Sequence, residues 1–344
     1  MSIAAAVLDR IQALPRLRVL AGPTPLEEAR ALSRQLGGPR IFLKRDDLTA
    51  AGLGGNKVRK LEFILGRAIA EGYDTVIVCG GYQSNLARIA AAMGARAGLR
   101  IELVLGGVPG EPRPICGNLL LSHLLGANVH LVETEPRWEF GTVLEDLAAR
   151  LAAEGRRALI MPLGGASPDG MAGYVLATAE MKAQFAEIGL APQHLFVAIG
   201  SGGTYSGLML GASNLDPGYR VTGVSVSRKA DYLVEKVTAE ATEAGRLLGL
   251  PHAPTAQMLT IVDDQIGAHY GAPTEAAREA IHLLARTEGV FVDPVYSAKA
   301  LAGLIDAIRT GRVGKDEAVV FLHTGGSPAL FAYDPKILLP GVAA

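Results

Sequence analysis

Cys79 and Cys116 are the only cysteines in 344 residues, which leaves no disulfide framework and no cysteine-based metal cluster. Cys79 ends an apolar run and reads as a core residue. Neither sign of charge dominates: 33 Lys+Arg stand against 34 Asp+Glu, for a formal net charge of −1, and the basic residues are scattered. Neither nucleic acid nor an anionic membrane surface is therefore an expected partner. No apolar run approaches the roughly 20 residues of a membrane span. Ile3 to Val7 is apolar, but Asp9 and Arg10 interrupt it and no small-residue cleavage site follows, so a cytoplasmic protein is expected.

The chain does have 49% hydrophobic residues and 42 glycines, a composition typical of a soluble α/β enzyme. Its length exceeds the size at which one core usually keeps growing, so two lobes are expected. Short apolar runs at Ile41–Lys44, Thr75–Cys79, Ile101–Leu105, Asn128–Val132, Ala158–Pro162, His194–Ile199, Arg220–Val226 and Ala318–His323 read as strands. Between them, Ser84–Ala97, Ile115–Leu125, Phe140–Ala153 and Thr274–Glu288 have helical spacing, and Gly106–Pro114, with its prolines, reads as a surface loop. The alternation predicts an α/β fold of parallel twisted sheets with helices on both faces. A discontinuous large domain, residues 1–57 and 155–344, is expected to be interrupted by a small α/β domain, 58–154, with the active site in the cleft between them.

Lys57 follows Gly54, Gly55 and Asn56 and opens a helix, so a flat ring could approach the backbone beside a semi-buried amine. That suits a Schiff-base lysine. Taken alone, it also suits a solvated lysine at a helix start. After the apolar run Leu195–Ile199 come Gly200, Ser201, Gly202, Gly203 and Thr204, and then a helix. Backbone amides and the positive end of the helix dipole would face an anion there, with two hydroxyls beside them. The string reads as a phosphate cup, with a structural turn as the bland alternative. Tyr205 stands where a dinucleotide fingerprint needs glycine, and no lysine completes a Walker loop. Gly80 to Asn85 again joins a strand to a helix, where Ser84 or Asn85 would serve as a ligand or only as an N-cap. Near the C-terminus, Asp293–Tyr296 and His323–Gly326 are each, alone, as consistent with turns as with sites.

In this order the motifs resemble the pyridoxal-phosphate enzymes of fold type II (tryptophan synthase β-like), specifically the D-cysteine desulfhydrase and 1-aminocyclopropane-1-carboxylate deaminase family. The matching strings are Thr24–Leu26, Lys44–Asp47, Gly54–Phe63, Gln83–Asn85, Gly200–Thr204, Tyr270–Pro273, Asp293–Tyr296 and His323–Gly326 with Pro328, Ala329 and Leu330. The resemblance implies pyridoxal 5'-phosphate as cofactor, a small amino-acid substrate and a homodimer. Lys57 would carry the cofactor and shuttle the substrate α-proton, Asn85 would meet the ring oxygen O3', and Gly200, Ser201, Gly202, Gly203 and Thr204 would bind the phosphate. Ser84 would bind the substrate carboxylate or carry protons, and Tyr270 and Tyr296 would line the substrate side. Thr324 would face the ring nitrogen. No metal is implied.

A neutral hydroxyl opposite that nitrogen makes the ring a weaker electron sink and favours β-elimination, in which a leaving group takes the electrons. The family's deaminases carry glutamate where this chain has Ser297 and leucine where it has Thr324, so cyclopropane ring opening is disfavoured. Leu86 replaces a usual histidine or glutamine, and Tyr82 stands where aliphatic or small residues are usual, which should alter the accepted side chain. The expected activity is α,β-elimination on a small amino acid such as D-cysteine. L-Cysteate sulfo-lyase, the cyclopropane deaminase and a non-catalytic carrier or sensor of the cofactor are the alternatives.

Overall fold

A computed structural model describes residues 2–107, 110, 113–133 and 140–339. Its strands are β1 (Leu26–Glu28), β2 (Arg40–Arg45), β3 (Thr75–Gly81), β4 (Arg100–Gly107), β5 (Asn128–Glu133), β6 (Ala158–Met161), β7 (His194–Ile199), β8 (Arg220–Ser225), β9 (Thr260–Val262) and β10 (Ala318–His323). They form a six-stranded sheet of order β1-β2-β10-β7-β8-β9 and a four-stranded sheet of order β5-β4-β3-β6. All pairings are parallel except β1 with β2, where Leu26 lies opposite Lys44.

The central strands are continuous apolar runs because helices cover both faces of their sheet. Every residue of β10 is buried, as are Leu195 to Ile199 of β7. One face of the larger sheet packs Ile41, Phe196 and Phe321 against the helices Glu275–Glu288 and Ser297–Arg309. The other packs Leu195, Val197 and Val320 against the helices Pro168–Glu187 and Gly203–Leu215. The smaller sheet has its own core, in which Val76 and Leu103 meet Leu61, Leu65 and Ile89. At about 1.5–3 kcal/mol per buried large apolar side chain, these layers hold the helices onto each sheet.

All eight expected strands are present, and the four expected helices form at Asn85–Ala97, Gly117–Leu124, Val143–Ala153 and Glu275–Glu288. Edge strands β1 and β9, three residues each, were not anticipated. The smaller sheet takes in β6, beyond the boundary expected at residue 154, because Thr75–Val78 pairs with Ala158–Met161. Of the expected loop at Gly106–Pro114, Gly106 and Gly107 instead extend β4 through their pairing with Val132 and Glu133 of β5. Residues 108–109 and 111–112 of that loop lie outside the described residues.

In the larger sheet β7 leads onward to its neighbour β8, while on its other side it pairs with β10, the last strand, which pairs in turn with β2. The carboxyl ends of β7 and β10 are therefore adjacent and their loops diverge, which is where open parallel sheets gather ligands. The loop after β3 of the smaller sheet faces the same cleft.

Candidate active site

The helix Lys57–Ala70 is anchored in its first turn by Arg59. This arginine is 3% exposed and reaches Asp46 at 2.8 Å and Glu180 at 2.8 Å, while the Tyr174 hydroxyl donates to Asp46 at 2.7 Å and Lys44 pairs with Glu180 at 2.5 Å. Removing one partner from such a buried set costs about 3–5 kcal/mol, so the first turn of this helix is rigid. On its other side the Gly54–Gly55 turn lies against the loop after β10. A Cβ on Gly325 would stand 2.7 Å from Gly55 Cα, and Gly325 has φ +82°, so this approach requires glycine.

Lys57 projects from this frame into a cleft of about 440 Å³. Its amine donates to Asn56 Oδ1 at 3.1 Å, and Asn56 Nδ2 donates to Thr204 Oγ1 at 3.0 Å, tying the lysine to the loop after β7. Desolvation lowers the Lys57 pKa to about 8, with the Asp293 carboxylate pulling it upward. Of the three buried lysines among the described residues, Lys44 pairs with Glu180, Lys299 donates to the Ile266 carbonyl at 2.5 Å, and Lys60 donates to the Gly164 carbonyl at 2.7 Å.

The cleft brings together Lys57, Ser84, Asn85, Leu86, Gly200, Ser201, Gly202, Thr204, Tyr270, Tyr296 and Thr324, which are the expected site residues apart from Gly203. Gly203 begins the helix Gly203–Leu215, whose N-terminus carries no side-chain cap, so its first amides remain available to an anion. The Lys60 amine lies beneath it: a Cβ on Gly203 would come within 2.6 Å of Lys60 Nζ. Desolvation, reinforced by the Lys57 charge, holds Lys60 well below the usual lysine range. Glycine backbone, an uncapped helix start and a buried amine suit a phosphate group, and Lys57 beside them suits an aldehyde-bearing ring. The residues present fit pyridoxal phosphate.

Across the cleft, the Tyr270 and Tyr296 hydroxyls meet at 2.5 Å. Burial raises both, Tyr296 to about 12, so both phenols keep their protons at neutral pH. Tyr296 is placed by Asp293, which accepts from the backbone amides of Val295, Tyr296 and Ser297 at 2.9, 2.9 and 2.8 Å. Ser84 caps the helix Asn85–Ala97 by accepting from Ala87 N at 3.2 Å, and it also lines the cleft. Leu86 is 3% exposed and packs in the core of the smaller sheet while one face touches the cleft. Tyr82, expected beside the substrate, is not among the lining residues; its ring lies near Gly107 of β4. Ser297 is fully buried, with its hydroxyl bonded to Asp293 at 2.5 Å.

Sequence reasoning missed Asn56, Lys60 and Asn118. Lys60 had a signal, because it lies three residues after Lys57 on the same helix face. Asn118, which donates to Asn85 Oδ1 at 2.9 Å from 33 residues away, had none.

Residues 17–325 match the family described as pyridoxal-phosphate dependent enzyme. The chain is 41% identical over 336 residues to the D-cysteine desulfhydrase of Salmonella choleraesuis (strain SC-B67), covering 96% of this chain and 99% of that one. The D-cysteine desulfhydrase of Salmonella newport (strain SL254) matches at the same identity and coverage. Among solved structures, an ACC deaminase homologue superposes with a TM-score of 0.87 at 35% identity, over 96% of this chain and 98% of that one. Threonine deaminase isoform 2 from Solanum lycopersicum shares the fold, with a TM-score of 0.65 at 19% identity over 94% of this chain and 84% of that one.

Proposed function

This chain belongs to the family of pyridoxal-phosphate dependent enzymes, as a lyase of fold type II, and we propose that it performs α,β-elimination on D-cysteine, giving pyruvate, ammonia and hydrogen sulfide. The observation that carries this reading is that one cleft is lined by a desolvated lysine and by a pair of phenols whose hydroxyls meet at 2.5 Å. When bound, pyridoxal phosphate supplies an electron sink conjugated to the substrate α-carbon.

The protein's part is binding and proton handling. Gly200 to Thr204, with Lys60 beneath, would hold the phosphate, and Asn85 would donate to the ring oxygen. Ser84, its oxygen already accepting from Ala87 N, turns its proton toward the substrate carboxylate. Lys57 takes the α-proton onto Nζ, where Asn56 Oδ1 at 3.1 Å orients the amine. The Tyr270–Tyr296 pair hydrogen-bonds the departing β-substituent and can pass it a proton. Thr324, which lines the cleft, would offer the ring nitrogen a neutral hydroxyl and so favour elimination. The cyclopropane deaminase reading is disfavoured because Ser297, committed to Asp293, presents no carboxylate to the cleft. A bare carrier of the cofactor has no use for Ser84, Tyr270 and Tyr296.

We propose also that the two sheets correspond to the two domains and that the protein works in the cytoplasm as a homodimer. No described helix is long and apolar enough to cross a membrane. Ile115, Leu120, Leu124 and Phe331, 63, 41, 74 and 80% exposed, lie on two segments that pack together and supply an apolar surface for self-association. A screen of D- and L-cysteine, cysteate, β-chloroalanine, serine, 2,3-diaminopropionate and the cyclopropane acid for keto-acid release tests the activity. D-Cysteine should give the highest kcat/KM. Preference for cysteate or the cyclopropane acid contradicts the substrate assignment, and no turnover of any of them contradicts the lyase.

A further inference from the structure

Among the described residues, Arg88 is the largest side chain buried without a counter-charge. It is 0% exposed, and no carboxylate pairs with it among the described residues. Burial alone pulls its pKa down to about 10. Nη2 donates to the Gly54 carbonyl at 3.0 Å and Nε donates to Asn118 Oδ1 at 2.6 Å, whereas Nη1 finds no partner among the described residues. An unpaired buried guanidinium is expensive, and packing alone does not call for one.

Its position suggests the return. A guanidinium only donates, so the side-chain oxygen of Asn118 must face it. The Asn118 Nδ2 then points the other way and donates to the Gln83 carbonyl at 2.9 Å and to Asn85 Oδ1 at 2.9 Å. The Gln83 carbonyl only accepts, so the orientation of the Asn118 amide is dictated from both ends. With its oxygen taken, Asn85 has only its Nδ2 to present to the cleft that it lines.

We propose that Arg88 and Asn118 are positioning residues forming a polarity relay, which holds Asn85 as a hydrogen-bond donor toward the cleft and thereby keeps the cofactor's ring oxygen in its anionic form. The inference rests on the reading that Asn85 meets that oxygen. Asparagine alone is ambivalent, because its amide can turn and offer either end. With the relay in place only the donor end is available, and a donor stabilises an oxyanion and disfavours the protonated hydroxyl. The charge on Arg88 strengthens the chain, since hydrogen bonds from ionised donors are shorter and polarise the next bond.

Asn118→Asp inverts the relay without removing its contact to Arg88. The new carboxylate still accepts from Arg88, now with a full counter-charge, but cannot donate to Asn85. Asn85 must turn its Nδ2 toward it and its oxygen toward the cleft. Arg88→Lys is the companion: it keeps a charged donor for Asn118 but loses the fork that reaches Gly54, so it tests Arg88 as a mere clamp. The readouts are the ratio of visible to near-ultraviolet absorbance of the protein loaded with pyridoxal phosphate, cofactor retention on dialysis, and the melting temperature of the cofactor-free protein.

Asn118→Asp should lower the absorbance ratio by about tenfold and weaken retention roughly two- to tenfold, the effect of one hydrogen bond. Arg88→Lys should keep the wild-type ratio while melting earlier. Asn118→Ala, which deletes the donor without adding charge, should move the ratio part of the way in the same direction and covers the case in which the aspartate variant does not fold. A wild-type ratio in folded Asn118→Asp or Asn118→Ala overturns the relay, as does a full shift in Arg88→Lys. Asn85→Leu separates the two levels: if that variant keeps the wild-type ratio, the placing of Asn85 at the ring oxygen is what fails.

Discussion

Replacing Lys57 with methionine should stabilise the cofactor-free protein. Desolvation brings the lysine to about 8 from the ordinary 10.5, with Asp293 opposing. A base with its folded pKa below its unfolded one binds protons more weakly in the native state. Its charge therefore lowers stability in full below about pH 8, and the loss fades as pH rises from 8 through 10.5, because over that interval only the unfolded chain keeps the proton. The gap between about 8 and 10.5 corresponds to about 3 kcal/mol at roughly 1.4 kcal/mol per pH unit. Losing the bond to Asn56 returns about 1 kcal/mol, leaving a net gain of about 2 kcal/mol at pH 7. For a chain of this size that is roughly 3 °C in melting temperature. The Lys60 amine, which the Lys57 charge depresses further, gains as well. The assay is thermal unfolding of both cofactor-free proteins from pH 6 to 10.5. The variant should melt higher at pH 6–8, and the two curves should converge toward pH 10.5. A variant that melts at or below wild type across the range, or a gain that does not shrink at high pH, refutes the reasoning.

Lys60→Met should weaken cofactor binding roughly ten- to hundredfold, the worth of a charged hydrogen bond to the phosphate, read by equilibrium titration; unchanged affinity removes Lys60 from the phosphate site. Thr324→Glu should keep the cofactor, since one neutral hydrogen bond contributes only about 0.5–1.5 kcal/mol, while product analysis shows the balance moving from elimination toward racemisation or transamination; wild-type partitioning means that Thr324 does not face the ring nitrogen. Leu86→His puts a polar group at a position 3% exposed and should lower stability by about 1–3 kcal/mol. Because one face of Leu86 touches the cleft, kcat/KM for D-cysteine should rise relative to less polar substrates, by roughly tenfold at most; an unchanged ranking leaves Leu86 as packing alone.

The strands that build the two cores were legible because a parallel strand buried on both faces must be apolar throughout, as Leu195–Ile199 and Val319–Leu322 are. Leu26–Glu28 and Thr260–Val262 were not, since three residues at a sheet edge carry no period to read. The same limit shapes the site. Gly200–Thr204 and Gly80–Asn85 announce themselves because a strand, a glycine turn and a helix start lie within one short string. The contacts that join these strings lie within none of them: Asn56 reaches Thr204 across 148 residues, and Arg88 reaches Asn118 across 30. The reach of the smaller sheet to Met161 was hidden for a related reason, because the pairing of β6 with β3 is set by tertiary packing and the helix before it looks like a natural boundary.

Of all the proposed roles, that of Lys57 as the residue carrying the cofactor is the one on which the chemistry depends most. Borohydride reduction of the yellow protein, followed by proteolysis and peptide mass analysis, should place the fixed cofactor on the peptide containing Lys57 and nowhere else. Finding it on Lys44, Lys60, Lys236 or Lys299 would mean that Lys57 does not carry the cofactor.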